Sequence, residues 1–377
     1  MNGNADVLSR DSGDETRALV RVGRFGPGSL SFRLLIVLLV PIVGLEVFAW
    51  REVQQQQQSA NSATVVSQEV QLLQRTGELV VPLYLEYTTT KAIAEAEAAG
   101  LNRRELPTNG VDLVAYIDDS RTKLDTALDD LVKADGDLLL PGGRTVTAEV
   151  NDARPTLSST RTLFDGATQK VADIDAGYAP LINLLTDLHD RADRLLSSAG
   201  TTRELARVGS ETQQVYMLLT YATSELEAIE SNGMAANPTV AVTKTVEAAG
   251  AFRMEIAEFS RSLDGQRRTT FDSLVASTEF QLVDSSLQQY IDMLTHPNAE
   301  SAATQDVITE QALSLYTSSF LRLTQLQKYA DRFFADQVVS AEKVRHQASN
   351  SRLGSILIMV GSLLISLVLL ALVMRSI

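Results

Sequence analysis

Carboxylates are the most numerous reactive groups in this sequence, and five fall close together: Asp118, Asp119, Asp125, Asp129 and Asp130. Two carboxylates do acid–base chemistry when burial separates their pKa values. These five share one stretch of helical periodicity on a face that reads as solvated, which fits a helix surface better than a catalytic pair. His189, His296 and His346 are the only histidines, too scattered for a metal or catalytic cluster. Cysteine is absent, which removes disulfides, thiolate metal sites and cysteine nucleophiles. No G-x-x-x-x-G-K-[ST], H-E-x-x-H or G-x-S-x-G motif occurs. The sequence therefore predicts no enzyme activity, no cofactor and no metal.

Arginine is more informative. Arg75 lies one step off an apolar stripe, near the core of the bundle inferred below. It reads either as a rim cation whose stem lies on apolar surface while its head reaches water, or as a guanidinium placed to hold a small planar anion such as nitrate or a carboxylate. Arg121 has Asp125 four residues further on. The pair reads either as an i,i+4 ion pair worth about 0.2–0.5 kcal/mol, or Arg121 belongs to the same kind of anion site.

The elements that would carry these residues are helical. The chain has 377 residues, with 45% hydrophobic and 6% aromatic residues, 21 Gly and 9 Pro. That length fits roughly two domains, and so few Gly, Pro and aromatic residues argue against a β-sandwich or barrel. The net charge is −14. Residues 1–33 carry five Arg and four acids, the first apolar block holds Glu46, and the last 25 residues hold only Arg375, so residues 51–352 carry −15. Such a surface repels nucleic acid and anionic lipid, which excludes a nucleic-acid role; solubility is the simpler reason for the acidity.

Two apolar blocks flank the acidic region. The first, LLIVLLVPIVGLEVFAW at 34–50, is at the short end for a membrane span. Arg33 and Arg51 bracket it and Trp50 suits an interface. A cleaved signal peptide fits poorly, because the polar leader is long and VFAWREV has no small-x-small site. The second, at 353–374, is uncharged and of spanning length. Its small residues (Gly354, Ser355, Gly361, Ser362, Ser366) allow close helix–helix approach, compatible with a dimer seam. Arg21, Arg24, Arg33 and Arg375 favour both termini in the cytoplasm. The expected organisation is a disordered cytoplasmic tail (1–32), a transmembrane helix (33–50), an extracytoplasmic helical domain (51–352), a second transmembrane helix (353–374) and a short cytoplasmic junction (375–377).

Within 51–352, turn signals punctuate helical periodicity: LPTNG (106–110), LPGGR (140–144), Arg154-Pro155, Gly200, Asn237-Pro238 and THPN (295–298). Val171, Ile174, Tyr178, Leu181, Leu185, Leu188, Ala192, Leu195 and Ala199 recur at gaps of 3 and 4, an a/d stripe over four heptads. Leu313, Tyr316, Phe320, Leu323, Gln327, Ala330, Phe334, Gln337, Ala341 and Val344 do the same. No Pro or Gly interrupts 301–353, so one helix of about 70 residues, roughly 100 Å long, should run from about 301 into the second block. Val66, Val70, Leu73, Gly77, Val80, Tyr84 and Tyr87 form a matching stripe, with Pro82 expected to kink it. Further helices are expected at about 111–135, 147–168, 203–232, 239–264 and 267–294. The fold class is thus all-α: about eight antiparallel helices, arranged as two four-helix bundles, flanked by two membrane helices.

Four stretches carry a family resemblance. Leu73-Gln74-Arg75 looks like an LQ-[RK]-E-R-G-x-S opening, and Arg121 with Asp125 like an R-x-x-x-D helix. Residues 178–185 look like a Y-x-x-L-I-x-x-L-L helix, and 224–231 follow the spacing of K-E-x-x-G-x-E-R. Over about 65–345 the chain resembles the nitrate- and nitrite-sensing (NIT) domain of bacterial receptors, especially divergent forms on actinobacterial sensor histidine kinases. The resemblance implies a dimeric extracytoplasmic receptor in a two-component or similar system, with arginines clasping nitrate or nitrite. Aligned without gaps, the family's second opening Arg falls on Gly77 and its later Arg on Ser231. Residues 373–377 look like the junction where a HAMP relay and a kinase, cyclase or methyl-accepting output begin, so the expected output is a further domain or a separate partner. Loss of the arginines at Gly77 and Ser231 favours the alternative, a membrane-anchored helical protein–protein interaction module without a small-molecule ligand.

Overall fold

The structure, a computed structural model, describes residues 30–98, 100, 103, 112–166, 170–198, 203–233, 238–295 and 305–376. Among these it is all-α, with nine helices: α1 (Leu30–Ala98), α2 (Leu113–Asp135), α3 (Val146–Asp165), α4 (Val171–Ser198), α5 (Arg203–Gly233), α6 (Pro238–Ser262), α7 (Gly265–Val275), α8 (Thr278–Thr295) and α9 (Gln305–Ser376). The expected turns at 106–110 and Gly200, most of residues 295–298, and nearly all of the tail at 1–32 lie outside the described residues, as does Ile377.

The helices divide into two compact units: residues 59–346, and residues 1–58 with 347–377. In the larger unit the stripes read from the sequence are the buried faces. Ile174, Tyr178, Leu181 and Leu188 on α4 have no exposed surface, nor do Ala330, Phe334, Gln337 and Ala341 on α9. Apolar residues at every third or fourth position have to leave water together, and here all of these but Gln337 and Ala341 join one continuous core. A smaller cluster of Ala63, Val66, Val70, Leu205, Val208 and Ala341 joins α1, α5 and α9. Helices α2, α3 and α4 pack in succession, as do α5 and α6, with α7 and α8 against α6.

Local signals set the joints. Asp112 caps α2 by accepting hydrogen bonds from the Val114 and Ala115 amides at 3.1 and 3.0 Å. LPGGR forms the expected turn, closed by Leu140 N to Arg144 O at 2.9 Å, and Thr145 caps α3. Arg154-Pro155 is not a turn: Pro155 lies inside α3. Proline removes the donor to the carbonyl of Asn151, but Asn151 and Pro155 are both exposed, so water satisfies that carbonyl. The buried face Val146, Val150, Ala153, Leu157, Thr160 and Phe164 passes by on the other side. The single helix expected at 267–294 is two. Buried Phe271 and Phe280 are nine residues apart, out of phase with one helical face. Ser277 resolves the slip, its Oγ accepting from Phe280 N at 3.4 Å at the start of α8.

In the smaller unit, α9 bears a stretch within Gln311–Val368 long and apolar enough to cross a membrane, and its most apolar part is not buried by protein. It is the one such stretch among the described residues. Leu357, Ile358 and Ile365 are all more than 60% exposed. The block at 34–50 is helical within α1, with Phe48 and Trp50 exposed. Ser362 on α9 donates a hydrogen bond to Glu46 on α1 at 3.2 Å.

Helices α3 and α4 cross closely at Gly177, where a Cβ would lie 2.0 Å from Thr160 Oγ1. Gly177→Ala should therefore destabilise by about 1–3 kcal/mol through overpacking, and adding Thr160→Ala should recover more than half of that. Urea denaturation of the three variants measures it; a Gly177→Ala protein as stable as the parent would mean that the crossing is looser.

Candidate functional site

Helix α1 is buried nearly all round from Leu79 to Ala94, and that stretch contains two charged residues, Glu86 and Lys91. Both lie in the core. Glu86 has no exposed surface. Its carboxylate accepts two hydrogen bonds from Arg161 on α3, at 2.7 Å each, and one from the Tyr178 hydroxyl on α4 at 2.6 Å. Arg121 Nε on α2 is 3.6 Å away. Burial opposes the charge of Arg161, but its hydrogen bonds to Glu86 and then Asp125 outweigh that and raise its pKa. Burial, then the charge of Glu86, pushes the Tyr178 phenol well above its ordinary value. One bidentate fork from Arg161, a phenol and the nearby charge of Arg121 thus hold one carboxylate in a dry site.

Lys91, one turn further along α1, lies in an acidic nest. Its Nζ is 3.5 Å from Glu230 and 3.5 Å from Asp175, and donates to Ser231 Oγ at 3.5 Å. Tyr87 donates to Asp175 at 2.8 Å. Glu230 is 4% exposed; burial, then the neighbouring Glu95, raise its pKa to about 8 despite Lys91. Glu95 and Glu227 are also raised, first by burial. From α9, Tyr316 completes this layer through hydroxyl contacts with Thr88 at 3.0 Å and Thr89 at 2.8 Å.

Helix α9 brings its own buried ion. Arg322 is 2% exposed, pairs with Glu225 on α5 and lies 3.6 Å from Asp284 on α8. Its guanidinium carbon lies 4.7 and 5.5 Å from the ring centroids of Phe252 and Phe280, within cation–π reach of both. Further along, Gln337 donates to Glu211 at 2.7 Å.

The residues singled out in the sequence are not brought together. Arg75 forms a fork with Asp135, at 2.5 and 3.0 Å, clamping α1 to the end of α2; it is neither a lone rim cation nor an open guanidinium. Arg121 does not pair with Asp125, which Arg161 takes at 2.9 Å. It turns instead to Asp165 at 3.0 Å, with Asp118 at 3.8 Å and Glu86. Arg121 and Asp135, the partner of Arg75, are fourteen residues apart on α2, about 21 Å. Gly77 lies under the Phe334 ring of α9, where a Cβ would come within 2.7 Å of a ring carbon; an arginine has no room there. Ser231 touches Lys91, fourteen residues along α1 from Gly77. Among the described residues no three His, Cys, Asp or Glu converge as metal ligands. No known family model, curated protein or solved structure matches the chain.

Two outcomes follow. Glu86→Gln leaves the Arg161 charge under-compensated and should destabilise by about 3–5 kcal/mol. Arg161→Met should cost a similar amount and the double variant clearly less than the sum, which a double-mutant cycle measures. Second, Glu69 on α1 has no exposed surface, its carboxylate oxygens lack hydrogen-bond partners, and burial, then Asp193, raise it to about 8. Glu69 and Glu230 are both raised above the 4.5 of an exposed glutamate, so the folded state binds protons that the unfolded state releases. Their contribution is fully present below about pH 4.5 and lost as pH rises to about 8. The melting temperature should fall between pH 6 and 8.5, and Glu69→Gln with Glu230→Gln should flatten that slope.

Proposed function

We propose that the chain is the sensory region of a membrane receptor, without enzymatic activity of its own. In this reading the blocks at 34–50 and 353–374 are two spans in the cell membrane, both termini are cytoplasmic, and residues 51–352 form the external helical domain. The carrying observation is α9 itself. One helix bears the buried polar contacts of Tyr316, Arg322 and Gln337 and also the exposed apolar stretch. Changing its fit among α1, α2, α5 and α8 therefore acts on the segment that would cross the bilayer. A ligand does this only by favouring one packing over another. The dimer and the cytoplasmic output, a HAMP-linked kinase or cyclase or a separate partner, come from the resemblance.

Nitrate or nitrite is the ligand the resemblance implies. The surroundings of Arg75 and Arg121 favour a structural role for both, since carboxylates face each guanidinium. That favours the second reading, a membrane-tethered module that binds another protein. With no native cysteine to interfere, cysteine pairs along residues 355–370 test the relay. Under the sensor reading, cross-linking between the spans of two copies changes when ligand is added to membranes; a pattern indifferent to nitrate, nitrite and every other added ligand supports the module. Protease added to intact cells should cut within 51–352, and a protected segment would overturn the topology.

A further inference from the structure

A cavity of about 390 Å³ opens between α1, α2 and α9 in the larger unit, away from the Lys91 nest. That volume suits a small organic molecule. Its apolar wall includes Pro82, Tyr116 and Phe320, the two rings meeting edge to face with centroids 4.5 Å apart. Proline at 82 has no amide hydrogen, so the carbonyl of Glu78, one turn earlier at the same wall, lacks its helical donor. Around the wall stand the carboxylates of Glu78, Asp130 and Asp331, with Asp119 at the edge. Lys123 pairs with Asp119 at 2.7 Å and also acts on Asp331, so with Lys328 two lysines face four acids. Gln327 donates through Nε2 to Asp331, and its Oε1 is buried without a donor. The lining is thus rich in acceptors and negative charge beside aromatic faces. Burial, and then Asp331 and Asp130, raise Glu78, with Gln74 and Arg75 pulling the other way; burial likewise raises Asp331. Both carboxylates would gain from an added cation.

We infer that this cavity binds a small organic cation, an ammonium group carried on a flat apolar body. The ammonium would take the Glu78 and Asp331 carboxylates. The apolar body would lie on Pro82, Tyr116 and Phe320, where an aromatic face also attracts positive charge. A metal ion fits less well, since no cluster of three metal-ligating side chains occurs among the described residues. The ligand class replaces the anion that the arginines implied. Its signalling consequence rests on the sensor reading above, because Phe320, Gln327 and Asp331 belong to α9; its binding does not.

The test is calorimetric titration of the full chain in detergent with phenethylammonium chloride, and with 2-phenylethanol as the uncharged counterpart. Saturable binding of the cation at least tenfold tighter than the alcohol is expected. Glu78→Gln with Asp331→Asn should weaken it tenfold or more. Ala127→Trp, which fills the cavity from the half-buried α2 side, should abolish it without lowering the melting temperature, which separates a blocked site from a misfolded protein. No saturable heat, equal binding of the alcohol, or full binding by either variant overturns the inference. Failure of the relay is read separately, as cross-linking at 355–370 that does not respond although the cation binds.

Discussion

Glu86 cannot reach water, and much of the larger unit is arranged around that constraint. A buried carboxylate needs opposite charge and hydrogen-bond donors within its own layer. Here the charge comes from α3 and α2 and the phenol from α4, so three helices are bound to one position on α1. Arg322 poses the same problem with the sign reversed. Its guanidinium on α9 requires Glu225 of α5 and rests beside rings of α6 and α8. Glu86 on α1 and Arg322 on α9 thus draw their partners from different sets of shorter helices. Such pairs add little net stability, but any mispacked alternative leaves a charge stranded, which selects one arrangement from the many open to amphipathic helices.

The acidity of the protein has two parts. Most carboxylates on α2, including Asp118, Asp119 and Asp129, are exposed and keep the surface hydrated, as composition implied. Glu69, Glu86, Glu211, Glu225 and Glu230 are all buried. Against them stand Arg322 and Lys91 inside and Arg161 and Arg267 at the margin. Of these carboxylates, Glu69 and Glu230 shift toward the protonated form, first because of burial and then because of a neighbouring acid.

Much of the architecture was legible because burial imposes a period. The middle of the stripes on α4 and α9 maps onto the core, with Val171, Leu195, Leu313, Gln327 and Val344 half-buried and Ala199 outside the described residues, and the LPGGR turn follows from its two glycines and proline. Pro155 misled because water can satisfy a freed carbonyl that is exposed, and solvent exposure is a tertiary property. The joint between α7 and α8 has no glycine or proline, so only the phase slip between Phe271 and Phe280 announces it. The site was less legible. Arg75 stood out as a lone cation and Arg121 as the partner of Asp125, but what a guanidinium does depends on which carboxylate faces it, and Asp135 and Asp165 arrive through folding. A usable signal was present in α1: sixteen consecutive residues from Leu79 to Ala94 with two charges describe a helix surrounded on all sides, so both charges had to be internal.

The bare backbone of α1 at Gly77 has a mechanical corollary. Most helix contacts interlock, a knob on one rod seated in a hollow of the other, and resist slippage along the axis. Beneath Phe334 there is no knob: the ring and Leu219 come up to the bare Cα. A methyl group added there would have to push Phe334, and α9 with it, away from α1.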